Sequence, residues 1–307
     1  MLARTKIEAQ TTRKWILGPS SLNTIAALVQ SFRQAALLKL DSPEINYLPW
    51  MDSYCEHKNT SLFKEHKVWK HLLLDEDVLS KIENVFNRND NPLGLMLPEE
   101  KSFRITQDIL NHQEMIERYF RGIEFFWHAG RYWQNLLSTL CMFIVPIYST
   151  RESVRPGGVG FSTLRARGAI FLSLPKNEKH SHLDLAINLA HELGHQSLMI
   201  YQGADRILNG KLDAPVYSVI RKTMRPAINS FHAVVALAFM VRFIADLLVA
   251  NDLPDDGFLL LGRFVELRQN LTDGLETCRT LDFTEVGKKI FTECEEALIE
   301  TRSLHYA

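Results

Sequence analysis

A chain of 307 residues, 46% hydrophobic and 23% charged, is long enough to bury a sizeable core and has the charge content of an ordinary globular protein. Its formal net charge of -1 gives no electrostatic reason to expect nucleic acid or an anionic membrane as a partner. Cys55, Cys141, Cys278 and Cys294 are scattered without a C-x-x-C pair. That spacing argues against a disulfide framework or a zinc knuckle and fits free thiols in a reducing cytoplasm. The N-terminal stretch MLARTKIEAQTTRKWILGPS lacks the apolar run of a signal peptide, and the most apolar stretch, residues 136–148, is too short to span a bilayer. A cytoplasmic location is expected.

In chain order, residues 22–40 place apolar side chains at helical spacing and predict a helix. Proline, polar and aromatic residues then break the pattern, a helical period resumes over 67–87, and NRNDNPLG at 87–94 reads as a turn or linker. From 103 to about 140 the pattern is helical again. It carries Phe125, Phe126, Trp127, Tyr132 and Trp133, an aromatic stripe expected in the core. Residues 141–149 and 168–174 are compact β-branched or aromatic runs bounded by turn residues, and predict two strands. Between them VRPGGVGFST matches no phosphate-binding glycine pattern and reads as a turn or movable lid.

A helix follows through 183–201, opened by a capping-box-like Ser181 and Asp184, with Leu183, Ile187, Ala190 and Gly194 on one apolar or small stripe. His180 and His182 read as its solvated entrance. Residues 202–215 read as a loop, 227–248 as a second strong helix, and 257–274 and 284–302 as closing helices. The expected fold class is mainly α with a small β-sheet (α+β), as one domain over residues 1–307. Its helical N-terminal region, 1–135, is a candidate substrate-binding part, and 136–307 is the metal-binding catalytic part.

The helix at 183–201 holds the most informative stretch of the chain, His191-Glu192-Leu193-Gly194-His195. Histidines four apart lie one turn apart on one helix face, so both imidazoles can reach a single metal ion. A catalytic site needs a third protein donor with positions left open for chemistry. The metzincin extension would need glycine at 198 and histidine at 201, where this chain has Leu198 and Tyr201. A thermolysin-like site would need a downstream glutamate, and none occurs between Glu192 and Glu266. Asp205, Asp213, Asp246 and His232 remain. His232 is favoured, because it opens the next helix in the chain, the natural neighbour of the motif helix. The expected architecture is therefore a zincin-like HExxH helix packed against a following helix that carries the third ligand.

The stretch 189–242 resembles the HExxH-type 2-oxoglutarate-dependent peptide β-hydroxylases, also described as HExxH putative peptide-modification proteins. The resemblance rests on His191-Glu192 and His195, then Tyr217-Ser218 with Arg221, then Arg225-Pro226, then His232-Ala233 leading into an apolar helix. Val219 and Ile220 depart from the family's proline and tryptophan, and Ala233 from its common glycine. The resemblance implies a non-haem Fe(II) enzyme that uses 2-oxoglutarate and dioxygen to hydroxylate a side-chain β-carbon of a ribosomally made precursor peptide. His191, His195 and His232 would hold the metal. Arg225 would clamp the distal carboxylate of 2-oxoglutarate, because a guanidinium fork can bind a carboxylate in bidentate fashion. Arg221 and Arg242 are its rivals, and Tyr217 could donate a hydrogen bond to 2-oxoglutarate or substrate.

Glu192 divides the alternatives. In the oxygenase it would orient a ligand, water or substrate. In a zinc metallopeptidase it would be the general base acting on metal-bound water. A non-catalytic helical binding protein with an accidental motif is the third reading. Neither a nucleic-acid nor a membrane partner is expected, and oligomeric state is left open.

Overall fold

The computed structural model describes residues 14–39, 103–105, 113–141, 143–149, 160–163, 168–175, 179–250 and 256–301. The described residues form seven helices and two small sheets, an α+β fold that is mainly helical. The helices are α1 (Ser21–Lys39), α2 (Gln113–Trp127), α3 (Arg131–Leu140), α4 (Ser181–Ala204), α5 (Ala227–Ala250), α6 (Gly257–Cys278) and α7 (Glu285–Glu300). The expected helices at 22–40, 183–201, 227–248, 257–274 and 284–302 correspond to α1, α4, α5, α6 and α7. The segments 41–102 and 150–159, with the expected helix at 67–87 and turn at 87–94, lie outside the described residues.

The larger sheet has four strands in the order β1-β2-β4-β3: β1 (Phe103–Ile105), β2 (Phe143–Ser149), β3 (Gly160–Phe161) and β4 (Ala169–Ser173). β2 and β4 run parallel, from Phe143 opposite Ala169 to Ile147 opposite Ser173. β1 and β3 flank them antiparallel. Every position of β4 is buried, as expected of a central strand covered on both faces. Two expectations are corrected here. Phe103–Ile105 is a strand rather than the start of a helix, since its backbone completes the ladder of β2. Gly160–Phe161, expected in a turn or lid, is an edge strand.

A second sheet is a hairpin of β5 (Pro215–Ser218) and β6 (Thr223–Pro226), which the sequence did not announce. Its turn closes through the Lys222 N–H donating to Ser218 O at 2.7 Å, with Lys222 in the left-handed region at φ 53°. At α4, His180 is the N-cap and makes no side-chain cap bond. Ser181 is already helical, so the expected capping box does not form. His182 is no solvated entrance either. Its Nε2 stands 3.1 Å from Asp256 Oδ2, its ring packs edge-on to Phe125, and His180 Nδ1 lies 3.4 Å from the other Asp256 oxygen.

One hydrophobic core draws on every helix, from Ile16 and Ile25 through Trp133 and Phe171 to Ile290 and Ala297. Phe126 stacks on Phe243 with centroids 4.9 Å apart, and Trp133 packs edge-on against both. Phe126 and Trp133 of the expected aromatic stripe are therefore core, while Phe125, Trp127 and Tyr132 are partly buried against it. α5 is long and apolar enough to cross a membrane by length and composition, yet 61% of its most apolar window is buried in the fold. Its apolarity is accounted for by its place at the centre. Cys141, Cys278 and Cys294 are buried free thiols.

The chain before α1 is tied to α7 by one carboxylate. Glu293 accepts backbone N–H bonds from Trp15, Ile16 and Leu17, the last two at 3.0 Å, while Tyr132 donates to Ile16 O at 2.9 Å. Because charged acceptors hold such bonds tightly, Glu293→Ala should destabilise the fold by about 3 kcal/mol and expose residues 15–17 first. Hydrogen exchange at those three amides is the readout, and unchanged protection there would refute the tie.

Candidate metal centre

α4 and α5 run antiparallel at close quarters, and their contacting faces create the site. On α4, His191, Gly194 and His195 share a face. On α5, His232, Ala236 and Met240 recur every four residues and so share one as well. The pairing is direct. His195 Nδ1 meets His232 Nδ1 at 3.2 Å, and His191 Nδ1 meets Met240 Sδ at 3.3 Å. Between them a Cβ on Gly194 would lie 2.9 Å from Ala236 Cα. Glycine at 194 is what allows the two helices to come this near.

The Nε2 atoms of His191 and His195 face each other 3.0 Å apart. That is close to the span of about 3 Å that two imidazoles present when each lies roughly 2.0–2.1 Å from one ion. Donor atoms of His191, Glu192 and His195 all lie within 4.8 Å of one another. Glu192 Oε1 stands 3.8 Å from His191 Nε2, and its Oε2 is buried with no hydrogen-bond partner among the described residues. An orphaned buried carboxylate oxygen is costly unless a proton or a cation satisfies it. Two imidazoles and this carboxylate therefore form a donor group that could hold a metal ion.

Burial sets the electrostatics. It pushes the Glu192 carboxyl up to about 8, with the nearby Ser162 hydroxyl offsetting part of the rise. Burial pushes His232 down to about 4. His195 is also held well below the usual histidine range, by burial first, then by the charges of His191, His232, Arg225 and Arg221. Glu192 is roofed by β3: a Cβ on Gly160 would lie 2.9 Å from Glu192 Oε1, so the strand packs directly on the carboxylate.

The other expected residues fall into distinct places. His232 contacts the far nitrogen of His195, and its own Nε2 stands 2.8 Å from Gln202 Oε1. Arg221 and Arg225 lie near enough to act on His195, and burial together with the Arg221 charge lowers Arg225. Neither makes an ion pair among the described residues. In the hairpin Val216 pairs with Arg225 and Tyr217 with Met224, so Tyr217 and Arg225 lie on opposite faces. Tyr217 is 45% exposed beside the exposed Met224, turned away from the face that carries Arg225.

Arg242 and Asp246 hold each other at 3.0 Å, with Glu300 on the guanidinium and Trp133 Nε1 on the carboxylate at 2.9 Å. Asp205 accepts from the Arg206 backbone N–H, and Asp213 is exposed.

Three contributors were missed in the sequence. Gln202 follows His195 by seven residues, two helical turns along the same face, and that spacing could have found it. Met240 follows His232 by eight, an equally legible period. Ser162 sits on no periodic element, and nothing in the sequence marks it. Gln202 also lines a cleft of about 570 Å³ with Ile207, Leu208, Leu212 and Ile228. The site thus defines a mainly helical α+β protein with a histidine-carboxylate centre between two core helices. No family model and no curated protein matches the chain.

Proposed function

We propose that this protein is a non-haem Fe(II) and 2-oxoglutarate-dependent oxygenase that hydroxylates a side-chain β-carbon of a ribosomally made peptide. The observation that carries the reading is the donor set of His191, Glu192 and His195, with the charges of Arg225 and Arg221 acting on His195. Two histidines and one carboxylate with open positions make the donor set of non-haem iron oxygenases. Arg225 and Arg221, without carboxylate partners among the described residues, supply the fixed cations that a dianionic co-substrate needs. Bound there, Fe(II) with 2-oxoglutarate and dioxygen would supply the oxidising chemistry. The protein's part is to hold the two imidazoles, to exclude water with β3 over Glu192, and to orient the co-substrate through Arg225. The antiparallel edge strand over the motif helix and the α4–α5 pairing also support a zincin-like arrangement. Expression in the cytoplasm and a precursor-peptide partner accompany the proposal.

Anaerobic Fe(II) loading should give a weak visible band on addition of 2-oxoglutarate, and turnover with candidate peptides should release succinate. Absence of both would end the reading. Arg225→Ala should raise the 2-oxoglutarate concentration that half-saturates the band about 10- to 100-fold, the equivalent of one charged hydrogen-bond pair.

A zinc metallopeptidase is the second reading, favoured by one observation: Glu192 Oε1 sits 3.8 Å from His191 Nε2, where a general base would act on metal-bound water. The variant Glu192→Gln separates the two. In the oxygenase it removes a metal donor and weakens metal binding. In the peptidase it leaves tightly bound zinc and abolishes hydrolysis.

A further inference from the structure

We infer that His232 is a positioning residue rather than a metal ligand: with Gln202 it fixes which nitrogen of His195 faces the candidate metal centre. This rests on the metal-centre reading and goes beyond it. Gln202 presents a carbonyl oxygen, which can only accept, to His232 Nε2 at 2.8 Å. His232 Nε2 therefore carries a proton, and in a neutral imidazole the other nitrogen is an acceptor. That acceptor, His232 Nδ1, stands 3.2 Å from His195 Nδ1, which must donate. With its proton on Nδ1, His195 turns the lone pair of Nε2 toward His191 Nε2, 3.0 Å away.

Met240 completes the arrangement from the other end. Its thioether can only accept, and it stands 3.3 Å from His191 Nδ1, so His191 also turns a lone pair inward. With both protons on the outer nitrogens, the two Nε2 atoms, 3.0 Å apart, present their lone pairs to the place a cation would take. Metal-binding histidines characteristically donate their second N–H to a fixed acceptor, which sets the tautomer and raises ligand basicity. Here the acceptors are an imidazole and a thioether, both on α5. His232 has no nitrogen left for the ion, since Gln202 takes one and the far side of the His195 ring takes the other.

Two measurements test the relay. In the metal-free full chain labelled with heavy nitrogen at histidine, long-range proton–nitrogen spectra should show His195 protonated on Nδ1 and His232 on Nε2. A His195 protonated on Nε2 overturns the relay whatever the metal does. In zinc titrations, Gln202→Leu and His232→Ala should each weaken binding about 10- to 100-fold, the usual cost of removing such a support. If His232 were instead a ligand held back by Gln202, Gln202→Leu would leave binding unchanged or tighten it, and three zinc-bound imidazoles would be seen. The expected tautomers in a chain that binds no zinc would uphold the relay and sink the metal-centre reading instead.

Discussion

Gly194→Ala should destabilise the fold by about 1–3 kcal/mol and weaken metal binding about 10- to 100-fold, although alanine is a better helix former than glycine. The added methyl would sit 2.9 Å from Ala236 Cα and 3.2 Å from Phe239 Cγ. The first of these is backbone, and the second belongs to a ring packed on Trp133 at the core. Relief therefore comes only by moving α5 away from α4. His232 and Met240 lie one turn either side of Ala236, and they hold the second nitrogens of His195 and His191. A shift at Ala236 reaches both. The matched control is Gly262→Ala on α6, where a Cβ meets nothing within 4 Å. That change should stabilise the protein by about 0.5–1 kcal/mol, because only helix propensity and unfolded-state entropy are altered. Denaturant midpoints and zinc titration of the two variants give the comparison. A Gly194→Ala protein that gains stability as Gly262→Ala does would show that the helices are not in contact there.

The same helix pair shows what the sequence could disclose. α4 and α5 were legible because their apolar positions repeat at helical spacing and each is long. His191 and His195 were legible because a ligand pair on one helix is a local pattern. What His232 does was not, since its partners are a glutamine on α4 and the far side of another ring, and no spacing along one chain encodes that meeting. The β5–β6 hairpin was hidden for a different reason. Its strands have four residues each, and its turn uses Lys222 rather than glycine or asparagine at the left-handed position, so the usual hairpin signal is missing. β1 has three residues, too few for any period to register. Arg242 and Asp246 looked eligible for the site on residue type alone, and four residues apart on one helix they pair with each other instead.

Glu192→Gln should remove a strong pH dependence from the stability of the metal-free protein. An unfolded glutamate titrates near 4.5, whereas burial raises the folded carboxyl to about 8. Between those values the folded state holds a proton that the unfolded state has released, so stability falls as pH rises, by about 1.4 kcal/mol per pH unit. Any stability linked to the neutral carboxyl is thus fully present below pH 4.5 and lost by about pH 8. Glutamine stays neutral throughout and matches glutamate in size, so the difference between the two proteins isolates this one group from the other titrating residues. Their denaturation curves should coincide near pH 4.5 and separate by several kcal/mol near pH 8, with the glutamine variant the more stable. A divalent cation reverses the logic, because its charge favours the carboxylate over the neutral acid. Zinc should therefore flatten the wild-type profile and leave that of Glu192→Gln nearly unchanged. Parallel profiles in the absence of metal would mean that water reaches the carboxyl, and that β3 does not seal the site.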